Sequence, residues 1–201
     1  GIRKLKVGHA GTLDPLATGL LIVCTGRMTK QIDNFQAQEK VYTGSMLLGQ
    51  TTPTYDLESE PDAFYPTENI TEEMMEEARK LFIGDIMQRP PKFSAIKIQG
   101  KRAFEYARSD EEVALKERLV HIEDFKLDTS NFPTVNFEVK CSKGTYIRSL
   151  VNDFGKALNS GACMTSLRRT KIGEFSVENA RDLMELKKEI IDEAENLTSD
   201  N

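Results

Sequence analysis

The clearest pattern in the chain lies between Thr134 and Cys141, where Val135, Phe137, Val139 and Cys141 alternate strictly with Asn136, Glu138 and Lys140. A period of two puts the four apolar side chains on one face of an extended segment, so a half-buried β-strand is predicted there. Leu119 to Leu127, with Val120, Ile122 and Phe125, reads as a further strand. A turn holding Ser-Asn-Phe-Pro leads into Thr134, which predicts an antiparallel pair. Val41 to Leu48 mixes β-branched, aromatic and aliphatic residues, and Leu20 to Cys24 is a short apolar run; both are predicted strands.

Elsewhere the apolar spacing changes to three and four residues. Met74, Met75, Ala78, Leu81 and Phe82 share one face of a peripheral amphipathic helix predicted from Glu72 to Phe82, with Thr71 as its cap and Glu72 and Glu73 suiting its positive end. Ile147, Leu150, Val151, Phe154 and Leu158 mark a second helix from about Tyr146 to Leu158, and a third covers about Ala180 to Ala194. Strands and helices do not alternate regularly, so the class is α+β rather than doubly wound α/β.

Composition excludes several functions. A chain of 201 residues can bury a substantial core, and its 39% hydrophobic and 29% charged content is that of a globular protein. The longest apolar stretch, Leu20 to Cys24, is far short of the roughly 18 residues a membrane helix needs. Cys24, Cys141 and Cys163 are widely separated and form neither a CxxC nor a paired-His spacing, so no disulfide framework and no structural metal is expected. That usage points to a reducing, cytoplasmic setting. The opening residues Gly1 to His9 are basic but lack the apolar region of a signal peptide, and the absence of an initial methionine suggests that the natural chain begins earlier.

Charge adds a less direct clue. The net charge of −5 argues against a polyanionic partner when taken alone. Asp56 to Glu77, however, holds nine acidic residues and no Lys or Arg, and Glu178 to Asn201 holds eight acidic against three basic. The remainder has 24 Lys and Arg against 15 Asp and Glu, a net of +9, which permits a basic face for nucleic acid without requiring one.

Candidate chemistry concentrates in Gly8-His9-Ala10-Gly11-Thr12-Leu13-Asp14-Pro15-Leu16-Ala17-Thr18-Gly19. Its glycines let the backbone turn tightly and approach a ligand, but neither phosphate-loop pattern, GxxxxGK[ST] or GxGxxG, is present. On the residues alone, Asp14 could cap a helical turn with Pro15 at its first position, and His9 could be an ordinary loop histidine.

The whole string, reading GHAGTLDPLATGLL, resembles the GHxGTLDPxATGxL signature of the TruB-type tRNA pseudouridine synthases. Further blocks similar to that family follow in order: Lys40-Val41-Tyr42 with Leu48-Gly49-Gln50-Thr51-Thr52, RPPKFSAIKIQGKRAFEYAR from Arg89, CSKGTYIRSL from Cys141, and Ser166-Leu167-Arg168-Arg169. The resemblance extends over Lys6 to Phe175. It implies the pseudouridine-synthase fold, a mixed and mostly antiparallel central sheet with flanking helices. It also implies an isomerase that converts uridine-55 in the T arm of tRNA to pseudouridine by base flipping, as a monomer, with no cofactor, no metal and no membrane.

Site residues follow from the same resemblance. Asp14 matches the family's catalytic aspartate, acting as nucleophile or as the base that starts an elimination through a glycal. Arg148 matches the arginine that pairs with it, since a carboxylate shielded from water needs a permanent cation nearby; without the family, Arg148 would read as an exposed helix residue. Tyr42 looks like the tyrosine that stacks on the extruded uracil and is a candidate for handling the C5 proton, while Tyr146 and Leu167 look like further pocket walls. His9 resembles the histidine that fills space beside the vacated stack. Lys143, Arg168, Arg169 and Lys171 are candidate phosphate contacts that would position RNA without specifying it. Phe93 and Phe104 stand where family members commonly carry Tyr, which keeps stacking and loses a hydroxyl.

The leading segment with a Lys-Pro-x-Gly-x-Ser/Thr-Ser stretch, which family members normally carry, is absent from the 201 residues. What remains after Phe175 is too short for another independent domain, so residues 1–201 are expected to form a single catalytic domain with no C-terminal RNA-binding domain. A strand edge left open by the missing segment and a loosely held His9 to Asp14 loop are the expected consequences. Two rival readings remain. A catalytically silent RNA-binding module of the same fold would not need Asp14, and a sugar or nucleotide hydrolase would need a second carboxylate motif.

Overall fold

In the computed structural model, residues 5–94, 97–98, 101–103, 106 and 115–199 are described. Their strands are β1 (Val7–His9), β2 (Ala17–Gly19), β3 (Val23–Thr25), β4 (Lys40–Leu48), β5 (Gln50–Thr51), β6 (Ala63–Phe64) and β7 (Gly84–Gln88). These continue with β8 (Lys97–Ile98), β9 (Lys101–Arg102), β10 (Arg118–Asp128), β11 (Thr134–Cys141), β12 (Ala162–Ile172) and β13 (Phe175–Ser176). The helices are α1 (Ile32–Ala37), α2 (Glu72–Lys80), α3 (Ile147–Ala157) and α4 (Leu183–Ser199).

A seven-stranded sheet in the order β13-β12-β4-β11-β10-β7 forms the framework, with β2 added beside β12. Every pairing in it is antiparallel except β2 with β12, so the sheet is mixed and mostly antiparallel, within an α+β fold. The alternation from Thr134 to Cys141 is realised without exception: Val135, Phe137, Val139 and Cys141 are buried and the residues between them are not. β10 pairs antiparallel with β11 in the predicted way, Leu127 opposite Phe137 and Phe125 opposite Val139. β4 lies on the other side of β11, with Tyr42 opposite Val139.

α3 packs on β12 and seals the core. Its buried face carries Ile147, Leu150, Val151 and Phe154. Phe125 of β10 meets the Phe154 ring at 5.7 Å and the Phe137 ring at 6.4 Å, both edge-to-face, which ties two strands to the helix. Each such buried ring contributes about 1.5–3 kcal/mol by leaving water.

Several elements depart from the sequence pattern. Thr71 does cap α2, its hydroxyl accepting from the Met74 amide at 3.3 Å, but only Met75 and Ala78 of the helix are buried, while Met74 and Leu81 stay exposed. The predicted strand at Leu20–Cys24 is displaced: strands form at Ala17–Gly19 and Val23–Thr25 instead. β12, enclosed between β4 on one side and β2 and β13 on the other, carries no sequence alternation because register shifts at Met164/Ser166 and Arg169/Lys171 break the period of two.

Candidate active site

The glycine-rich string folds as a closed loop. At its base β1 pairs with β3, Gly8 opposite Cys24 and His9 opposite Val23, and the Ala10 amide donates to Ile22 O at 2.9 Å. Its outgoing limb, β2, runs parallel to β12 with Ala17, Thr18 and Gly19 opposite Leu167, Arg168 and Arg169. Gly19 has φ +102°, and a Cβ there would lie 2.3 Å from Arg169 O, so this contact is closed to any other residue. Between the two anchors a β-turn closes when the Ala17 amide donates to Asp14 O at 2.9 Å. Pro15 follows Asp14 in this turn and presets its φ. No helix forms here for Asp14 to cap; its carboxylate is turned elsewhere.

That carboxylate meets Arg148. Nε donates to one oxygen at 2.8 Å and Nη2 to the other at 2.9 Å, a bidentate fork across 134 residues of sequence. Arg148 is 3% exposed whereas the Asp14 side chain keeps 34% of its surface, so the cation is sealed and the carboxylate remains accessible from solvent. The remaining donors are also committed, Nη1 to Thr54 O at 3.1 Å and Nη2 to Phe93 O at 2.9 Å. Arg148 sits in the first turn of α3, whose entry is fixed by Gln88. Gln88 accepts from the Tyr146 amide at 2.8 Å and donates to Tyr146 O at 3.0 Å.

A second carboxylate completes the group. Asp56, 1% exposed, places Oδ2 3.6 Å from Arg148 Nε. Its Oδ1 accepts the Glu58 amide, and its carbonyl accepts the Thr52 and Thr54 hydroxyls. In the sequence Asp56 is one of the nine acidic residues from Asp56 to Glu77, and nothing there sets it apart. No periodicity marks it: residues 52–56 form a turn, the Tyr55 amide donating to Thr52 O at 3.1 Å with Tyr55 at φ +64°, and this turn buries Thr52, Thr54 and Asp56 together.

The other expected residues gather unequally. Tyr42 lies in β4 opposite Arg169 of β12 and packs against the core cluster that includes Leu167, itself 7% exposed. Burial pushes the Tyr42 phenol above the ordinary tyrosine range, with the Arg169 guanidinium opposing the rise. Tyr146 is also pushed up by burial, opposed by Arg118, whose guanidinium carbon stands 5.8 Å from the ring centre. His9 is exposed at the end of β1. Lys143, Arg168 and Lys171 are exposed, and Phe93 is half-buried; Phe104 lies outside the described residues.

Arg169 departs from the phosphate contact expected of it. It is 2% exposed, and its guanidinium donates to Leu20 O at 2.8 Å and Gly11 O at 3.1 Å. Because alternation holds across residues 167–169, Arg168 faces solvent and its neighbour faces inward.

A sealed arginine thus clamps a partly open carboxylate on the glycine-rich loop. The family model for TruB family pseudouridylate synthase (N terminal domain) matches residues 2–147, and that for the tRNA pseudouridylate synthase B C-terminal domain matches residues 148–199. The tRNA pseudouridine synthase B of Parabacteroides distasonis is 56% identical over 177 residues, covering 88% of this chain and 75% of that protein. That of Flavobacterium johnsoniae is 54% identical over 181 residues, covering 90% and 79%. Among solved structures, a Cbf5-Nop10-Gar1 complex matches with a TM-score of 0.63 and 30% identity, over 85% of this chain and 41% of the matched chain. The chain thus spans about two fifths of that solved protein. With both family models matched end to end and more than half of the residues shared with such relatives, the chain belongs to the TruB family of pseudouridine synthases.

Proposed function

We infer that the protein isomerises uridine-55 in the T arm of tRNA to pseudouridine, with Asp14 as its catalytic carboxylate. The observation that carries this reading is the bidentate Asp14–Arg148 pair, in which a sealed cation holds a partly open carboxylate at the tip of the loop. The reaction breaks the N1–C1′ bond of the uridine, turns the uracil and joins C5 to C1′; the proton on C5 leaves and N1 ends protonated. Uracil departs as a delocalised anion and is retained, so one carboxylate suffices where a glycoside hydrolase needs two. Asp14 acts either on C1′ as nucleophile or on the sugar as base in an elimination. In both routes the bidentate Arg148 contact holds it aimed.

Tyr42 and Leu167, packed together, and Tyr146 would wall the extruded base, which aromatic and apolar surfaces hold by stacking. With burial raising its pKa, Tyr42 stays a neutral phenol at neutral pH, suited to stacking and to relaying the C5 proton rather than to acting as a phenolate. His9, exposed at the loop's base, would occupy space beside the vacated stack. Lys143, Arg168 and Lys171, all exposed, would contact phosphates. Residues 148–199 do not stand apart from the rest: α3 and β12, which pairs with both β4 and β2, come from them, and this supports reading the chain as one catalytic domain. No helix among the described residues is long and apolar enough to cross a membrane.

Incubation with an unmodified T-arm stem-loop, followed by pseudouridine mapping, tests the reading. Pseudouridine at the single expected uridine supports it. Asp14→Asn should abolish product while RNA affinity stays within a few-fold, because the swap is nearly isosteric and removes only the charge. Turnover by the Asn form above a trace would overturn the assignment of Asp14.

A further inference from the structure

We propose that Arg169 is a positioning residue, which fixes the catalytic loop at two points and joins it to the strand that carries Tyr42. Three observations converge on it. Its Nε and Nη2 donate to Leu20 O and Gly11 O, carbonyls that flank Asp14 on its two sides in sequence. Its own backbone carbonyl accepts the Leu20 amide at 2.8 Å, so main chain and side chain of one residue hold the same limb. In register it stands between Gly19 of β2 and Tyr42 of β4, on the one strand that touches both.

The energetics favour this use over a contact with RNA. A fully buried guanidinium is costly unless its donors are satisfied, and here two of them close on loop carbonyls that would otherwise lie unpaired against the core. A planar fork is rigid, so it sets the separation of Gly11 and Leu20, and Asp14 lies on the chain between them. Gly11 at φ +98° turns its carbonyl toward the guanidinium, and Gly19 lets the backbone approach Arg169 closely. Two of the motif's glycines thus serve the same residue. Lysine, with one point charge on a flexible stem, reaches one carbonyl and leaves the span free.

The inference rests on the assignment of Asp14, and its test includes a readout independent of turnover. Arg169→Lys and Arg169→Met would be compared with wild type and with Arg168→Ala in three measurements. Turnover at saturating stem-loop RNA should fall about 10- to 100-fold in both Arg169 variants, as expected when a reacting group is misplaced by about an ångström, with KM within about twofold. The salt slope of RNA binding should match wild type for both, whereas Arg168→Ala should lower it by about 0.7–0.9. Hydrogen exchange should quicken across residues 8–22 and stay unchanged in β11, which a general loss of structure would not spare. If Asp14→Asn retained activity, the site assignment would fail while the exchange pattern still reported on Arg169. The proposal is overturned by unchanged loop exchange. It is equally overturned by a reduced salt slope with full turnover, which would mark a phosphate contact, or by loss of protection throughout the sheet or failure of both variants to fold, which would mark a general core role.

Discussion

Replacing Arg148 with methionine removes the charge while keeping much of the volume, and the structure sets the size of the loss. Arg148 donates to Asp14, Thr54 O and Phe93 O and lies 3.6 Å from Asp56. Asp14, with a third of its side chain exposed, falls back on water and adds little to the cost. Asp56, 1% exposed, cannot, and is left as a buried charge without a cation. Breaking a buried pair from one side costs about 3–5 kcal/mol, which for a chain of this size lowers Tm by about 6–20 °C. Urea unfolding at neutral pH measures it, with an unchanged slope confirming that the same transition is followed.

A second substitution separates the causes. Asp56→Asn in the Arg148→Met background removes the orphaned charge and should restore at least half of the lost stability, a strong departure from additivity between neighbours. Turnover should not return, because Asp14 still lacks its clamp. Arg148→Met within about 1 kcal/mol of wild type, or a double variant no more stable than the single, would refute the claim that Asp56 and Asp14 share one buried cation.

Three further predictions follow from other parts of the site. RNA affinity should fall steeply with salt despite the overall charge of −5, with Lys143→Ala and Arg168→Ala each reducing the slope by about 0.7–0.9; a flat response would show that the basic residues do not converge. Because burial raises the Tyr42 phenol above its unfolded value near 10, its contribution to stability is complete below that pH and is lost as pH rises through the folded value. Tyr42→Phe should therefore flatten the alkaline limb of a pH–stability profile, and an identical limb would contradict the burial of the hydroxyl. Gly19→Ala, which sets a methyl against Arg169 O at 2.3 Å, should detach β2 and cost most of the turnover while β11 keeps its hydrogen-exchange protection; full activity would mean that the parallel pairing is dispensable.

What was legible in the sequence was local. β11 declares itself because four apolar residues alternate without a bulge, and α3 because one apolar stripe persists through three turns. The loop string is a single run of residues, and its identity needs no knowledge of what surrounds it. β12 hides because its two register shifts move side chains from one face to the other part-way along. Its polar sequence, Thr165 to Lys171, therefore reads as surface although it lies between β4 and β2.

The charged residues show why the rest was not legible. Arg168 and Arg169 are chemically identical neighbours, and a count of basic residues treats them alike. The strand's alternation gives them opposite faces, so one is exposed toward solvent and the other is enclosed with two of its donors committed to the loop. Asp56 presents the same problem with the opposite sign: within a run of nine acidic residues it is the one that folding brings against Arg148, 1% exposed. Burial of an ion is set by the partners that tertiary structure supplies, here 92 residues away for Asp56 and 158 for Arg169 with Gly11. Periodicity places apolar side chains because the core selects them by type; it cannot place an ion that the core admits only by pairing. Arg148 is legible only through the motif it belongs to, whereas Asp56 and Arg169, which support the Asp14 loop from behind, are the residues that the sequence conceals, and each carries a test that a solvated charge would pass unchanged.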